Sequence, residues 1–271
     1  MADSVGSLIR HAATAVCLVI VFGSIARAQP PLPSPVNAPD SPQFLPRAKL
    51  NLSAASLGSD DPRFSWDTHY GGDIDLVDYV VGRLNVIADY QAILGSEFRR
   101  FDPNQGNYTL EASASARLSG VELAGMFHHV SRHLSDRSKR EAIAWNVVGV
   151  RALRRFHLAD TTVDVQGSVG NVVEHAFVDY GWTSDLDLVI RHRLTRVADV
   201  YAHGFGRMLG IDADVSTRPT QRDGRLELGI RLRGGAAAVE LFAGLERRVD
   251  ADPFDTAAQR WGFAGFRLLT K

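Results

Sequence analysis

The chain has 271 residues, a formal net charge of −1 and a single cysteine. A near-neutral balance without a basic stripe interleaved with aromatics excludes nucleic acid as a charge-driven partner. One cysteine excludes an intrachain disulfide and a multi-thiolate metal centre.

From the N-terminus, Arg10 and His11 precede an apolar stretch from Ala13 to Ile25, followed by Ala26-Arg27-Ala28. A basic start, a short apolar run and a small-x-small site make residues 1–28 a predicted secretory signal, cleaved before Gln29. The run is too short for a spanning helix. Cys17 lies inside it, so the exported chain is expected to carry no thiol. Residues 29–61 begin with Pro30, Pro31, Pro33, Pro35, Pro39, Pro42 and Pro46. Such a stretch stays extended, and it is expected to be a periplasmic linker. Residues 62–271 have the size of one domain.

Within that domain a hairpin rhythm appears. Short turns at Val81-Gly82, Ser119-Gly120, Asp160-Thr161, Val197-Ala198 and Gly234-Gly235 recur about 37 to 39 residues apart, with longer polar segments between them, the layout of a membrane barrel. The long segments are Arg99 to Asn107, Ser135 to Glu141, Asn171 to Gly181, Asp212 to Gly224 and Asp250 to Gln259. Between turns and loops the sequence alternates. Tyr108, Leu110, Ala112, Ala114, Ala116 and Leu118 oppose Thr109, Glu111, Ser113, Ser115, Arg117 and Ser119. Leu226, Leu228, Ile230 and Leu232 oppose Arg225, Glu227, Gly229, Arg231 and Arg233. Period two means strands with one apolar and one polar face. A soluble barrel or sandwich would bury the apolar face, and a membrane barrel would turn it to lipid. Three features favour the membrane. Both charge signs share the polar faces, with Arg117 near Glu111 or Arg231 near Glu227 as possible pairs. The apolar rows have the length of a tilted crossing strand. Tyr90, Tyr108, Trp145, Trp182 and Trp261 are placed for interfacial girdles.

The expected fold is all-β, an up-and-down antiparallel transmembrane β-barrel of twelve strands, with ten as the alternative. Five turns join ten strands from about Ile74 to Val249, and Arg260 to Leu269 adds one more. Closure with both termini in the periplasm needs an even number. The remaining strand is expected at Arg63 to Tyr70, turning at Gly71-Gly72. The final strand, from Trp261 through Phe266, looks like the terminal signal read by barrel-assembly machinery, and the expected location is the outer membrane of a Gram-negative-type bacterium.

The densest reactive cluster runs from Gly125 to Asp136 and contains His128, His129, Ser131, Arg132, His133 and Asp136. His129, Ser131 and His133 share one face by alternation. At about 3.3 Å per residue and a tilt near 40°, ten residues beyond the Ser119-Gly120 turn climb roughly 25 Å, to the external headgroup level. If Glu122 points into the lumen, this row faces lipid; a bulge would reverse it. Other polar residues suggest less. His192 and His203 fit lumen networks. Asp73, Asp75, Asp78, Asp185 and Asp187 read as a solvated acidic edge, since their spacing matches no EF-hand loop. Gly204, Gly206 and Gly210 precede no helix, so they form no phosphate loop. His129 and His133 lie about 13 Å apart on an extended strand, too far to share one ion. With His128 and His157 they still offer no convergent set, so neither a metal nor a cofactor is expected.

The string His-x-Ser-x-His-Leu-x-Asp, His129 to Asp136, resembles the signature of an uncharacterised family of bacterial outer-membrane barrels, which implies architecture and no activity. Phe127-His-His129-Val-Ser131 is similar to the Phe-x-His-x-Ser core of the lipid A deacylases, eight-stranded outer-membrane barrels. That resemblance implies Ser131 as nucleophile, His129 as its base and an acidic orienter on the next strand, for which Glu141 is the nearest candidate. The sequence departs from the deacylases at Arg132, where they carry Asn. Three functions follow as expectations. The first is a structural or narrow-pore barrel with its lumen plugged by Arg, Glu and Asp. The second is an outer-leaflet ester hydrolase acting on lipopolysaccharide or another outer-membrane lipid. The third is an exported soluble ligand binder. The oligomeric state stays open.

Overall fold

The computed structural model describes residues 35–135 and 142–270. The predicted signal and the candidates Asp136 and Glu141 lie outside the described residues. Twelve strands follow in order: β1 (Gln43–Leu57), β2 (Trp66–Asp78), β3 (Arg83–Gly95), β4 (Asp102–Leu118), β5 (Val121–Leu134), β6 (Ile143–Leu158), β7 (Thr161–Ala176), β8 (Tyr180–Arg193), β9 (Ala198–Ile211), β10 (Gln221–Arg233), β11 (Ala237–Arg248) and β12 (Gln259–Thr270). Each pairs with its sequence neighbours, and β12 returns to β1 to close the barrel. Closure leaves no sheet edge unpaired, which a lipid environment demands of a spanning sheet.

The structure decides which face points inward. On β10, Leu228 and Ile230 are 59% and 48% exposed on the outer wall, whereas Glu227 is fully buried in the lumen. The same division holds around the barrel, with Leu110, Val150, Leu186 and Leu245 all exposed on the outside. An apolar belt of this extent would be an aggregation surface in water and is at home in lipid. The short turns lie at one end. At Ser119-Gly120 both residues have positive φ, 49° and 79°, the left-handed pair that a two-residue hairpin requires. The start of β1 pairs beside the β2–β3 turn, Gln43 with Asp78, and the end of β12 beside the β10–β11 turn, Thr270 with Ala237. Both ends of the barrel chain thus sit with the short turns.

Several expectations need correction. The first strand is Gln43–Leu57, inside the stretch assigned to the linker, and not Arg63 to Tyr70. Arg63 to Tyr70 does not turn at Gly71-Gly72; it enters β2, which runs unbroken through both glycines. A side chain at Gly71 would run into Asp89 and the Ala88 backbone of β3, so this glycine marks a close approach of strands. The long loop expected at Asn171 to Gly181 shrinks to residues 177–179. Trp145 and Trp261 are buried inside the barrel and join no girdle.

The lumen is filled by paired charges. Arg267 Nη1 donates to Glu227 Oε1 at 3.0 Å and also reaches Glu240, while Arg225 meets Glu227 at 2.8 Å. Arg231 pairs with Glu240 and Arg117 with Asp78, which replaces the pairings anticipated for these arginines. Asp73 and Asp75, read as a solvated edge, are buried against Arg47, and Asp75 also meets Arg83. Asp185 pairs with Arg207 and Asp187 with His203. His192 instead meets Thr161 at the rim, 2.9 Å away.

Toward the long-loop end the filling becomes apolar. Phe64, Ile93, Trp261 and Phe263 form one buried cluster; Val130, Trp145, Tyr180 and Leu209 form another. The loop after β11 closes both, contributing Ala251 to the first and Val249 to the second. Beneath this cap an internal cavity of about 40 Å³ lies between His69, Asp89, Gln105, Asn107, His128 and Arg132, room for a water or two.

Candidate active site on the outer wall

Strand β5 positions the reactive cluster. Glu122, Ala124, Met126, Val130 and Arg132 are buried on its lumen side, whereas Leu123, Phe127 and His133 are exposed on its outer side. His129 and Ser131 continue that outer row. The alternation runs from Val121 to Leu134 unbroken, so the conditional parity above holds with Glu122 inward, bonded to Arg83 at 2.7 Å.

Cross-strand register then assembles a row that the linear sequence hides. His129 stands opposite Leu110 of β4 on one side and Asn146 of β6 on the other; Asn146 stands opposite Glu174 of β7. His129 Nδ1 lies 2.6 Å from Asn146 Oδ1, and Asn146 Nδ2 donates to Glu174 Oε2 at 2.9 Å. Asn146 interrupts the apolar stretch of the outer row of β6 formed by Ala144, Val148, Val150 and Ala152; the row continues to Arg154, Phe156 and Leu158 toward the short turn. Glu174 reaches this face through an irregularity. Inward residues of β7 run Asp164, Gln166, Ser168 and Gly170, and Val172 packs on the lumen cluster. Strict alternation would send Glu174 inward as well. The register shifts here: Val147 pairs with Val172 and Asn146 with Glu174, leaving Val173 as the extra residue of a bulge. Bulges re-aim side chains in this way and concentrate near active sites.

The next row up holds Tyr108, Ser131, Ala144 and Ala176. Ala144 is paired directly with Ser131 and Ala176 with Ala144, so small side chains border the serine on this side. Ser131 Oγ lies 3.1 Å from His133 Nε2. The His133 ring meets Tyr108 edge-on at 5.2 Å, and Tyr108 and Tyr90 are in ring contact at 4.9 Å. Phe127 and Val148 extend the surface toward the bilayer centre and are exposed.

Not every predicted residue joins this group. His128 turns inward and meets Glu111 at 3.0 Å. Arg132 also turns inward; its guanidinium donates to the carbonyls of Asp250 and Ala251 and to Gln105. It therefore serves the cap over the lumen, and the place that Asn holds in the deacylases is unmatched on the outer wall. No group of three or more His, Cys, Asp or Glu side chains is placed to hold a metal ion among the described residues. Sequence reading missed Asn146 and Glu174. The polar interruption of an apolar row was a signal for the first; the bulge concealed the second.

Comparison with known proteins gives a fold and no family. No family model and no curated protein matches the chain. Among solved structures, outer membrane phospholipase A from Escherichia coli is similar, with a TM-score of 0.51 at 12% identity over 84% of this chain and 98% of that one. An active-site asparagine-to-alanine mutant of that enzyme gives 0.52 at 11% identity, covering 84% and 91%. The Salmonella typhi outer membrane phospholipase dimer with bound calcium gives 0.50 at 11%, covering 89% and 94%. These likenesses establish the outer-membrane β-barrel fold.

Proposed function

We propose that this chain is an outer-membrane lipid ester hydrolase with Ser131 as nucleophile, His129 as general base and Asn146 as the group that orients the base. The observation that carries the reading is the 2.6 Å contact between His129 Nδ1 and Asn146 Oδ1, with Ser131 two residues along the same outward face. Nucleophile, base and orienting group in this order are what acyl transfer requires. Asn146 takes the place expected of Glu141. The similar enzyme with an asparagine at its active site adds support. The group faces the lipid-exposed wall, so the substrate is an acyl ester of a membrane lipid, entering from the bilayer with its chains along Phe127 and Val148.

In the reaction, Ser131 rotates from His133 toward His129 and gives its hydroxyl proton to His129 Nε2. The oxygen attacks the ester carbonyl. As the tetrahedral intermediate collapses, the C–O bond to the alcohol breaks and His129 returns the proton to the departing oxygen. Water, deprotonated by His129, then cleaves the acyl-serine ester and releases a fatty acid. Location in the outer membrane, short turns toward the periplasm and assembly by the barrel machinery belong to the same proposal.

The test is mass spectrometry of phospholipids and lipid A from cells producing the wild type or Ser131→Ala at equal outer-membrane levels. Lysophospholipid and free fatty acid with the wild type alone would identify a phospholipid substrate. Loss of an acyl chain from lipid A alone would identify lipopolysaccharide. Identical spectra in both lipid pools would overturn the reading.

A further inference from the structure

We infer that Glu174 is a positioning residue that selects the tautomer of His129 through the Asn146 amide. The inference rests on the hydrolase reading above. The carboxylate oxygen Oε2 of Glu174 accepts from the Asn146 amide NH₂. Its contact at 2.9 Å therefore fixes the NH₂ end of Asn146 toward Glu174 and the carbonyl end toward His129. A carbonyl oxygen only accepts. His129 Nδ1 must then carry the ring proton, and Nε2 is left with a free lone pair, the state a base for Ser131 needs. Without Glu174 the amide can turn over. Its NH₂ would then face Nδ1 and stabilise the opposite tautomer, in which Nε2 bears the proton and cannot take another while the ring stays neutral.

The bulge supports this independently of the hydrogen bonds. β7 places the carboxylate beside Asn146 by way of the extra residue Val173. An unbroken β7 would set Val173 opposite Asn146 and turn Glu174 into the lumen opposite Trp145, leaving Asn146 without the carboxylate. A polar side chain on a lipid-facing row is costly unless it is satisfied, so the Asn146–Glu174 pair also keeps the amide ordered.

The experiment uses the full-length protein in detergent micelles, with ¹⁵N-labelled histidine, as wild type, Glu174→Gln and Glu174→Ala. The His129 signal is identified from its loss in His129→Gln. In the wild type we expect Nδ1 protonated and Nε2 free. Glutamine preserves size and can still hydrogen-bond but does not dictate polarity, so Glu174→Gln is expected to give a mixture of tautomers. On a short-chain phospholipid or acyl-ester probe it should lower kcat about tenfold with KM unchanged. If Glu174→Gln keeps the wild-type tautomer and kcat while Ser131→Ala abolishes hydrolysis, the positioning role is overturned and the hydrolase stands. If the tautomer shifts but Ser131→Ala hydrolyses the probe like the wild type, the proposed enzyme fails while the Glu174 relay survives.

Discussion

Ser131 and Arg132 are consecutive, yet they stand on opposite sides of the barrel wall. The serine hydroxyl meets His133 outside, and the Arg132 guanidinium holds the Ala251 carbonyl of the capping loop inside, at 2.9 Å. The strand that carries the proposed nucleophile is thereby pinned from behind. Arg132→Met should release the loop after β11 and destabilise the barrel by about 2–5 kcal/mol, since hydrogen bonds to charged groups contribute about 1.5–3 kcal/mol each. Protease nicking between residues 249 and 258 should rise. Unchanged nicking and heat-modifiability would mean that the cap does not depend on Arg132.

His129 and His133 both flank Ser131, and they predict different losses. His129→Ala should reduce turnover by about 10²- to 10⁴-fold, the usual worth of a positioned general base. His133→Ala should retain turnover within about tenfold on that scale. The reverse order in single-turnover assays would transfer the base role to His133, the imidazole that bonds the serine directly in this structure.

Asn146→Ala removes the amide that pairs with His129 Nδ1. It should lower kcat at least about tenfold without raising KM, because the ring loses orientation and the substrate loses no contact. A change confined to KM would instead place Asn146 in substrate binding.

The lumen network predicts a closed and stiff barrel. Glu227 is fully buried and serves both Arg225 and Arg267. Glu227→Ala leaves these cations without that partner and should cost about 3–5 kcal/mol, the usual loss on breaking one side of a buried ion pair. Purified protein in planar bilayers should be silent. Steady conductance steps would contradict a lumen filled by these side chains.

Arg63 ties two loops at the long-loop end together, pairing with Asp61 on its own loop and with Asp252 and Asp255 on the capping loop. The hydrogen bond from Arg63 holds Asp61 below the usual carboxylate range; a backbone hydrogen bond from Ala257, with Arg63 second, does the same for Asp255. Carboxylates with lowered values stabilise the folded state above their unfolded pKa and lose that contribution as pH falls through the folded value. The clamp should therefore persist from neutral pH down to about 4 and open only below it. Hydrogen exchange of residues 58–65 at pH 7, 5 and 3 checks this, with Arg63→Ala as the opened reference. Opening between pH 7 and 5 would refute it.

Much of this architecture was legible because alternation and turn chemistry are local. Ser119-Gly120 announces its hairpin, and Arg225 to Arg233 announces its two faces. β1 was hidden for physical reasons. Pro46 and a register shift between Phe44 and Arg47 interrupt its start, and its middle, Ser53-Ala54-Ala55-Ser56, offers little contrast between faces. Gly71-Gly72 imitated a turn because glycine also serves close strand approach. At the site, the outward parity of His129 and Ser131 was legible only on the condition that Glu122 points inward, because alternation does not say which face meets the lumen. The partner Asn146 did not, because pairing between β5 and β6 depends on the loop between them, and Glu174 lay one residue out of phase.

The division of every strand into an apolar and a charged face also bears on how the polypeptide travels. A stretch such as Tyr108 to Ser119 exposes as many polar as apolar side chains when extended, and among the described residues no helix is long and apolar enough to cross a membrane. Among the described strands, a channel reading residue by residue would meet no helix-long apolar run of the stop-transfer kind. The lipid-compatible surface comes into being only on closure, when Arg267, Glu227 and their neighbours withdraw to the interior together. Hydrophobicity here is a property of the assembled cylinder: the extended strands are a mixed polymer, and only the closed wall is apolar.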